Sequence, residues 1–123
     1  TIPGVGRILA LTILYEIGDI QRFESVQKFA SYARLIKCKA ESAGKTYGTQ
    51  GNKIGNAHLK WAFSEAAVLY LRGNEKAQRY LQTLQKRMNK AKALSALAHK
   101  LGRATYFMLK HRRVFDEQRF LTG

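Results

Sequence analysis

Acidic residues are scarce in this chain. Its 123 residues include 8 Asp or Glu against 22 Lys or Arg, which gives a formal net charge of +14. Between Glu75 and Asp116 there are eleven basic residues and no acidic residue. So uneven an excess is typical of a protein that binds a polyanion, either nucleic acid or an anionic membrane surface.

Cysteine, histidine and long apolar runs are also scarce. Cys38 is the only cysteine, which excludes an intrachain disulfide and makes a reducing cytosol the simplest compartment. The three histidines are scattered and give no zinc-ligand spacing with it. No apolar segment reaches membrane-spanning length, and no signal peptide is visible. Membrane association through basic amphipathic helices is disfavoured as well, because the apolar stripes are expected to be committed to a core.

The length predicts a single domain over residues 1–123. The chain begins with Thr1, inside a motif rather than at a methionine. We therefore expect it to be a fragment of a longer protein, with apolar surface exposed at Ile2, Val5 and Leu9.

The only proline lies in a short turn motif, Ile2-Pro3-Gly4-Val5-Gly6, ahead of a helix expected to begin near Arg7. Gly4 and Gly6 permit a tight turn whose N–H groups, at a helix N-terminus, can hold a phosphate. The pattern is typical of the second half of a helix-hairpin-helix element, which grips the DNA backbone without reading bases. The alternative is a hairpin that serves only as a packing corner.

Apolar periodicity predicts an all-α fold of four or five helices. The first, over residues 7–17, is apolar on nearly all sides and is expected to be buried. Ser25 is predicted to cap a short second helix and Asn56 a third that ends near Leu71. Two further helices are predicted over about 75–88 and 92–110, followed by a tail that packs or frays. Trp61 is expected to pack against a neighbouring element rather than to stack on a base.

One long polar loop, from Lys37 to Asn56, separates the second and third helices. It holds four glycines, four lysines and Ser42 in a small-residue setting. Ser42 is a candidate phosphate ligand or a nucleophile that attacks phosphorus, with nearby lysines to stabilise the developing charge. The alternative, which composition alone favours, is a solvated hairpin whose serine caps a turn. No metal site can be assembled from the eight acidic residues, and nothing in the spacing ties His58 to Ser42.

Six motifs occur in a fixed order along the chain. They are IPGVG at 2–6, EIGDIxRF at 16–23, FASYA at 29–33, SxGK at 42–45, KxGNxxL at 53–59 and ALxxLAxKL at 93–101. Together they resemble the C-terminal transposase domain of the insertion-sequence one-ten family. Four places depart from the family pattern: Arg34 where glycine is frequent, Lys37 where proline is common, Ala43 for a glycine, and Gly51-Asn52 for an Ile-Thr pair.

The resemblance implies a serine-dependent DNA recombinase. Ser42 matches the family nucleophile, which forms a transient phosphoserine link to DNA. Family members carry an N-terminal RuvC-like domain with a DEDD carboxylate set, so Mg²⁺ chemistry is expected there and no cofactor in this chain. The family also implies a guide (bridge) RNA, homo-oligomers (dimers and tetramers) and a bacterial, nucleoid-associated location in the cytoplasm, with no membrane partner. We expect the fragment to be inactive alone.

The residues and the resemblance together give candidate DNA- or RNA-binding positions. These are Pro3, Gly4, Gly6, Arg7, Lys39, Gly44, Lys45, Lys53, Asn56, Lys60, Lys86, Arg87, Lys90, Lys100 and Arg103. The alternative to a recombinase is a non-catalytic, basic helical module that binds nucleic acid, in which Ser42 is only a turn residue.

Overall fold

A computed structural model describes residues 2–36 and 56–122, and this part of the chain is all-helical. Its α-helices are α1 (Arg7–Ile17), α2 (Val26–Tyr32), α3 (Ala57–Leu71), α4 (Glu75–Gln85), α5 (Lys90–His111) and α6 (Glu117–Thr122). A 3₁₀ turn over Ile20–Arg22 lies between α1 and α2. The predicted all-α class is confirmed, whereas α6 is a helix that apolar periodicity did not predict.

Side-chain caps fix where four of the helices begin. An oxygen of each cap accepts a backbone N–H from the first turn, at 3.2 Å for Ser25, 3.0 Å for Asn56, 3.1 Å for Asn74 and 2.8 Å for Asn89. These bonds satisfy donors that have no partner inside the helix. The predictions that Ser25 caps α2 and that Asn56 caps α3 are confirmed.

Helix α5 is the centre of the domain, and α2, α3, α4 and the 3₁₀ turn all pack on it. Where these elements meet, Phe29 is fully buried. Its ring meets Phe23 edge-on at 5.2 Å and Phe63 edge-on at 6.2 Å, and it lies 5.7 Å from Tyr106. Such aromatic pairs add to the stabilisation that burial alone provides.

The tail packs onto the opposite end of α3 rather than fraying. Phe120 is buried, and its ring meets Tyr70 edge-on at 5.7 Å. The Tyr70 hydroxyl donates to Glu117 at 2.9 Å, and the side-chain amide of Asn74 donates to the same oxygen at 3.1 Å. This carboxylate therefore ties α6 to the corner between α3 and α4.

The expectation that α1 is buried on nearly all sides is wrong. Ile8 is 82% exposed and Tyr15 84% exposed, and Leu11 and Leu14 are exposed beside them. The cause is that α1 packs mainly on α3, which covers only one face of it. Within the described part of the chain, α1 therefore presents an exposed apolar face, contrary to the expectation that every apolar stripe is committed to the core.

Two further burial predictions are wrong. Ile2 and Leu9 are buried in the core, and Val5 is half-buried against it. Trp61, expected to pack on a neighbour, is 57% exposed because it lies off the buried stripe of α3. An apolar residue is buried only where a second element covers it, and sequence periodicity does not reveal that partner.

Helices α2 and α5 each end in a left-handed residue. Arg34 has φ 60° and Arg112 has φ 53°. After each of them, the next backbone N–H donates back to a carbonyl of the helix, Leu35 to Ala30 and Arg113 to Met108, both at 2.9 Å. This is the Schellman geometry, in which the left-handed position is usually glycine. The arginine at position 34 thus occupies a backbone conformation that suits the glycine frequent in the resembled family.

Candidate nucleic-acid interface

The turn before α1 is closed by a hydrogen bond from the Val5 N–H to the Ile2 carbonyl at 3.1 Å. Gly4 has φ +85°, and a Cβ there would overlap the carbonyl group of Leu69 near the end of α3. Only glycine fits both the conformation and the contact. The role that the geometry gives Gly4 is close packing of the turn against α3.

The start of α1 faces outward. Gly6 is the N-cap residue, and no side-chain hydrogen bond caps this helix end. A Cβ added at Gly6 would have nothing within 4 Å, and Pro3, Gly6 and Arg7 are all exposed. An accessible helix N-terminus beside an arginine has the chemistry of a phosphate contact.

A polar cluster joins α1, α2 and α3 at the two ends of the segment 37–55. The side-chain amide of Asn56 donates to Glu16 at 2.8 Å and to the Tyr32 hydroxyl at 3.3 Å. The Asn56 backbone N–H also donates to the Tyr32 carbonyl at 2.6 Å. The end of α2 and the beginning of α3 are therefore held together by both backbone and side-chain bonds.

Arg22 completes this cluster. Its Nε donates to the Ile17 carbonyl at 3.0 Å, and its guanidinium lies 4.6 Å from the ring centre of Phe23 and 4.8 Å from that of Tyr32. The Arg22 guanidinium, and then the hydrogen bond from Asn56, lower the pKa of Tyr32. A cation and a set of polar groups thus lie together beside the end of α2 and the beginning of α3.

Sequence reasoning placed Asn56 among the site residues but missed Glu16, Arg22 and Tyr32. Their signal was in the sequence, since all three belong to the motifs at 16–23 and 29–33. The sequence did not show that these motifs contact Asn56 in the folded protein. Five predicted site residues, Lys39, Ser42, Gly44, Lys45 and Lys53, lie outside the described residues.

A basic corner lies where α4 gives way to α5. Lys86, Arg87 and Lys90 are all exposed there, within five consecutive positions of the chain. Lys60 on α3 and Arg103 on α5 are exposed as well. His99 adds little charge to this surface, because burial and then the neighbouring Arg103 lower its pKa. The corner presents fixed positive charge to solvent, as a phosphate backbone requires.

Lys100 is separated from this basic surface. It is half-buried, its ammonium donates to the Tyr80 hydroxyl at 3.0 Å, and it lies 4.7 Å from the ring centre of Tyr80 and 5.2 Å from that of Phe120. These cation–π contacts hold the charge between α4 and α6. The geometry of Lys100 therefore favours a role in packing.

Within residues 2–36 and 56–122, no group of three or more His, Cys, Asp or Glu side chains is placed to hold a metal ion. A membrane-spanning helix is likewise not found in this part of the chain, where no helix is both long and apolar enough.

Comparison with known proteins gives consistent matches. Residues 1–82 match the model of the family described as "Transposase IS116/IS110/IS902 family". A transposase for insertion sequence element IS1111A from Coxiella burnetii is 26% identical over 94% of this chain and 33% of its own length. A pilin gene-inverting protein from Moraxella bovis is 30% identical over 96% of this chain and 38% of its own length. The chain thus spans about a third of the length of these relatives, and no solved structure matches it.

Proposed function

Because this chain belongs to the IS116/IS110/IS902 family of transposases, we propose that it is the C-terminal domain of a DNA recombinase. In this proposal the domain binds nucleic acid and carries the nucleophile. The observation that carries the proposal is the family match itself, which extends over residues 1–82 and so includes Ser42. Its relatives include proteins named as a transposase and as pilin gene-inverting proteins, and both names describe DNA rearrangement.

In the proposed reaction, Oγ of Ser42 attacks a DNA phosphorus. The Ser42 hydroxyl loses its proton as the new O–P bond forms and the bond from phosphorus to one sugar oxygen breaks, and the displaced sugar oxygen takes up one proton, so that no proton is gained or lost overall. The product is a phosphoserine link and a free DNA hydroxyl, which can re-form a phosphodiester with a new partner. Lys39, Lys45 and Lys53 are the proposed partners of the charge that develops on phosphorus.

Two features of the described residues support this role. The hydrogen bonds between Tyr32 and Asn56 hold the end of α2 against the beginning of α3, and these are the two helices that flank Ser42 in the sequence; a functional residue needs rigid supporting elements of this kind. The exposed N-terminus of α1 and the basic corner are each suited to contacts with a DNA backbone. Mg²⁺ chemistry, guide RNA and assembly into oligomers would belong to the full-length protein.

The test is covalent trapping on a nicked suicide DNA substrate with full-length protein and guide RNA, followed by a denaturing gel. Wild type is expected to give a protein–DNA band that Ser42→Ala abolishes while DNA binding persists. Ser64→Ala is the matched control, since Ser64 is an exposed serine on α3 whose hydroxyl donates to the Lys60 carbonyl. A band that survives in Ser42→Ala would exclude this serine as the nucleophile.

A second candidate function is a non-catalytic nucleic-acid-binding module, and the basic corner favours it because that surface requires no nucleophile. Duplex binding should then weaken steeply with salt and depend little on sequence. Changing Lys86, Arg87 and Lys90 together to Ala should reduce the slope of log K against log salt by up to about 3. Both candidates predict this binding, and the trapping experiment separates them: the module predicts no covalent band in wild type.

A further inference from the structure

The C-terminal end of α5 borders a pocket of about 390 Å³. Its walls are the last two turns of α5, the segment that leads into α6, and α6 itself. Phe120 is buried in its wall, whereas Phe107 and Val114 are 42% and 72% exposed at its edge. Large apolar side chains left open to solvent around a concavity mark a binding site more often than an ordinary surface does.

Two parallel rings line this pocket. Phe107 and His111 are four residues apart on the same face of α5, their ring planes are parallel, and their centroids lie 6.0 Å apart. Tyr106 meets Phe107 edge-on at 5.2 Å and fixes its ring from the core side. The end of α5 therefore offers a stacked pair of oriented aromatic rings.

Positive charge flanks the rings. Arg113 and Arg119 both line the pocket and are both exposed to solvent. Among the described residues that line the pocket, Asp116 alone carries a carboxylate, and it is engaged locally, since it accepts the backbone N–H of Arg119 at 3.2 Å. A stacked aromatic pair that shares a pocket with two guanidinium groups is complementary to a ligand that is both aromatic and anionic.

We propose that this pocket holds an unpaired nucleotide of a single-stranded nucleic acid, with its base stacked on Phe107 and His111 and its phosphates against Arg113 and Arg119. The proposal rests on the proposed nucleic-acid function and adds to it a site for single strands. An apolar protein segment is the other conceivable occupant. Charge complementarity favours the nucleotide, because an apolar segment would leave both guanidinium groups covered without an anionic partner.

The test measures binding of this 123-residue chain to oligonucleotides that each carry one 2-aminopurine as a fluorescent reporter base. The oligonucleotides are single-stranded DNA, single-stranded RNA and a matched duplex. Binding of a single strand to wild type should quench the fluorescence of the reporter base. Phe107→Leu keeps an apolar side chain but removes the π face, and it should weaken single-strand binding between about fivefold and about a hundredfold and abolish the quenching. Phe107→Tyr should restore both, and Arg113→Gln should lower the salt dependence of binding by about one counterion.

Trp61→Leu is the matched control, since it removes an exposed aromatic ring from α3 rather than from the pocket. Duplex affinity should be nearly unchanged in every variant at the pocket except Arg113→Gln. If Phe107→Leu binds and quenches single strands as wild type does while salt-sensitive duplex binding persists, the pocket is not a nucleotide site but the proposed function stands. If wild type binds no nucleic acid even at low salt, both fail together.

Discussion

The side-chain amide of Asn56 donates a 2.8 Å hydrogen bond to the carboxylate of Glu16, forty residues away in the chain. The carbonyl oxygen of the same side chain caps α3. One asparagine therefore fixes where α3 begins and ties that point to α1, and its backbone N–H ties it to the last residue of α2.

Asn56→Ala is expected to destabilise the domain by about 2–3 kcal/mol, through loss of the cap and of the bond that Glu16 receives. Asn89→Ala is the matched control, because Asn89 caps the exposed beginning of α5, and it should cost about 1 kcal/mol. Urea unfolding followed by circular dichroism measures both. Equal losses would mean that the bond to Glu16 contributes no stability.

Arg34→Gly is expected to stabilise the domain by about 1 kcal/mol, because glycine adopts a φ of 60° without the strain that a Cβ brings. Arg112→Gly should act in the same direction for the same reason. Arg72→Gly is the control: Arg72 ends α3 with φ −68°, where glycine only adds entropy to the unfolded chain. The melting temperature should rise for the first two variants and fall slightly for the third, and a fall in all three would contradict the argument.

Gly4→Ala is expected to cost at least about 2 kcal/mol, since alanine is strained at φ +85° and its Cβ would overlap the Leu69 carbonyl. Gly6→Ala should cost less than about 1 kcal/mol, because its φ is −75° and the added Cβ meets nothing within 4 Å. Thermal unfolding of the two variants compares them directly. If Gly4→Ala melts with wild type, the turn does not pack on α3 as described.

The hydrogen bond from Tyr70 to Glu117 predicts a dependence of stability on alkaline pH. Burial, and next the carboxylate that it donates to, raise the pKa of Tyr70 above that of an ordinary tyrosine. In the unfolded chain this hydroxyl loses its proton near pH 10, whereas in the folded chain the hydroxyl keeps its proton to higher pH. Its contribution to stability is therefore fully present below about pH 10 and declines as the pH rises further.

The free energy of unfolding of wild type and of Tyr70→Phe should be compared between pH 7 and 11. Tyr70→Phe should be less stable at neutral pH by about 1–2 kcal/mol, and the difference should shrink above about pH 10. Tyr15→Phe removes the hydroxyl of an exposed tyrosine. Its free energy of unfolding, plotted against pH, should run parallel to that of wild type over the whole range. A Tyr70→Phe curve that also stays parallel would show that this hydroxyl keeps no raised pKa.

The local features of the fold were predictable because they depend on residues close together in the chain. The caps of α2 and α3 act on backbone groups three residues away, and the buried stripe of α3, at Leu59, Ala62, Phe63, Ala66 and Tyr70, follows the helical repeat. Helix α6 was missed because six residues are too few to display that repeat. Its helical state depends on its contacts with Tyr70 and Asn74.

The candidate site was predicted only in part, for the same reason. Charge and motif order are properties of the sequence, and they identified the basic residues, the turn at Pro3 to Gly6 and Asn56. The meeting of Glu16, Arg22 and Tyr32 with Asn56 required three helices to converge. The enclosure of Lys100 between Tyr80 and Phe120 likewise required α4 and α6 to lie on either side of it.

The sequence by itself determined that this chain is helical, strongly basic and a member of a transposase family, because periodicity, charge and motif order are all written in residue order. Tertiary structure alone decided which apolar faces are covered, which cations face solvent and which motifs touch. Those outcomes depend on contacts between residues that are distant in the chain, as the exposed face of α1 and the enclosed ammonium of Lys100 both illustrate.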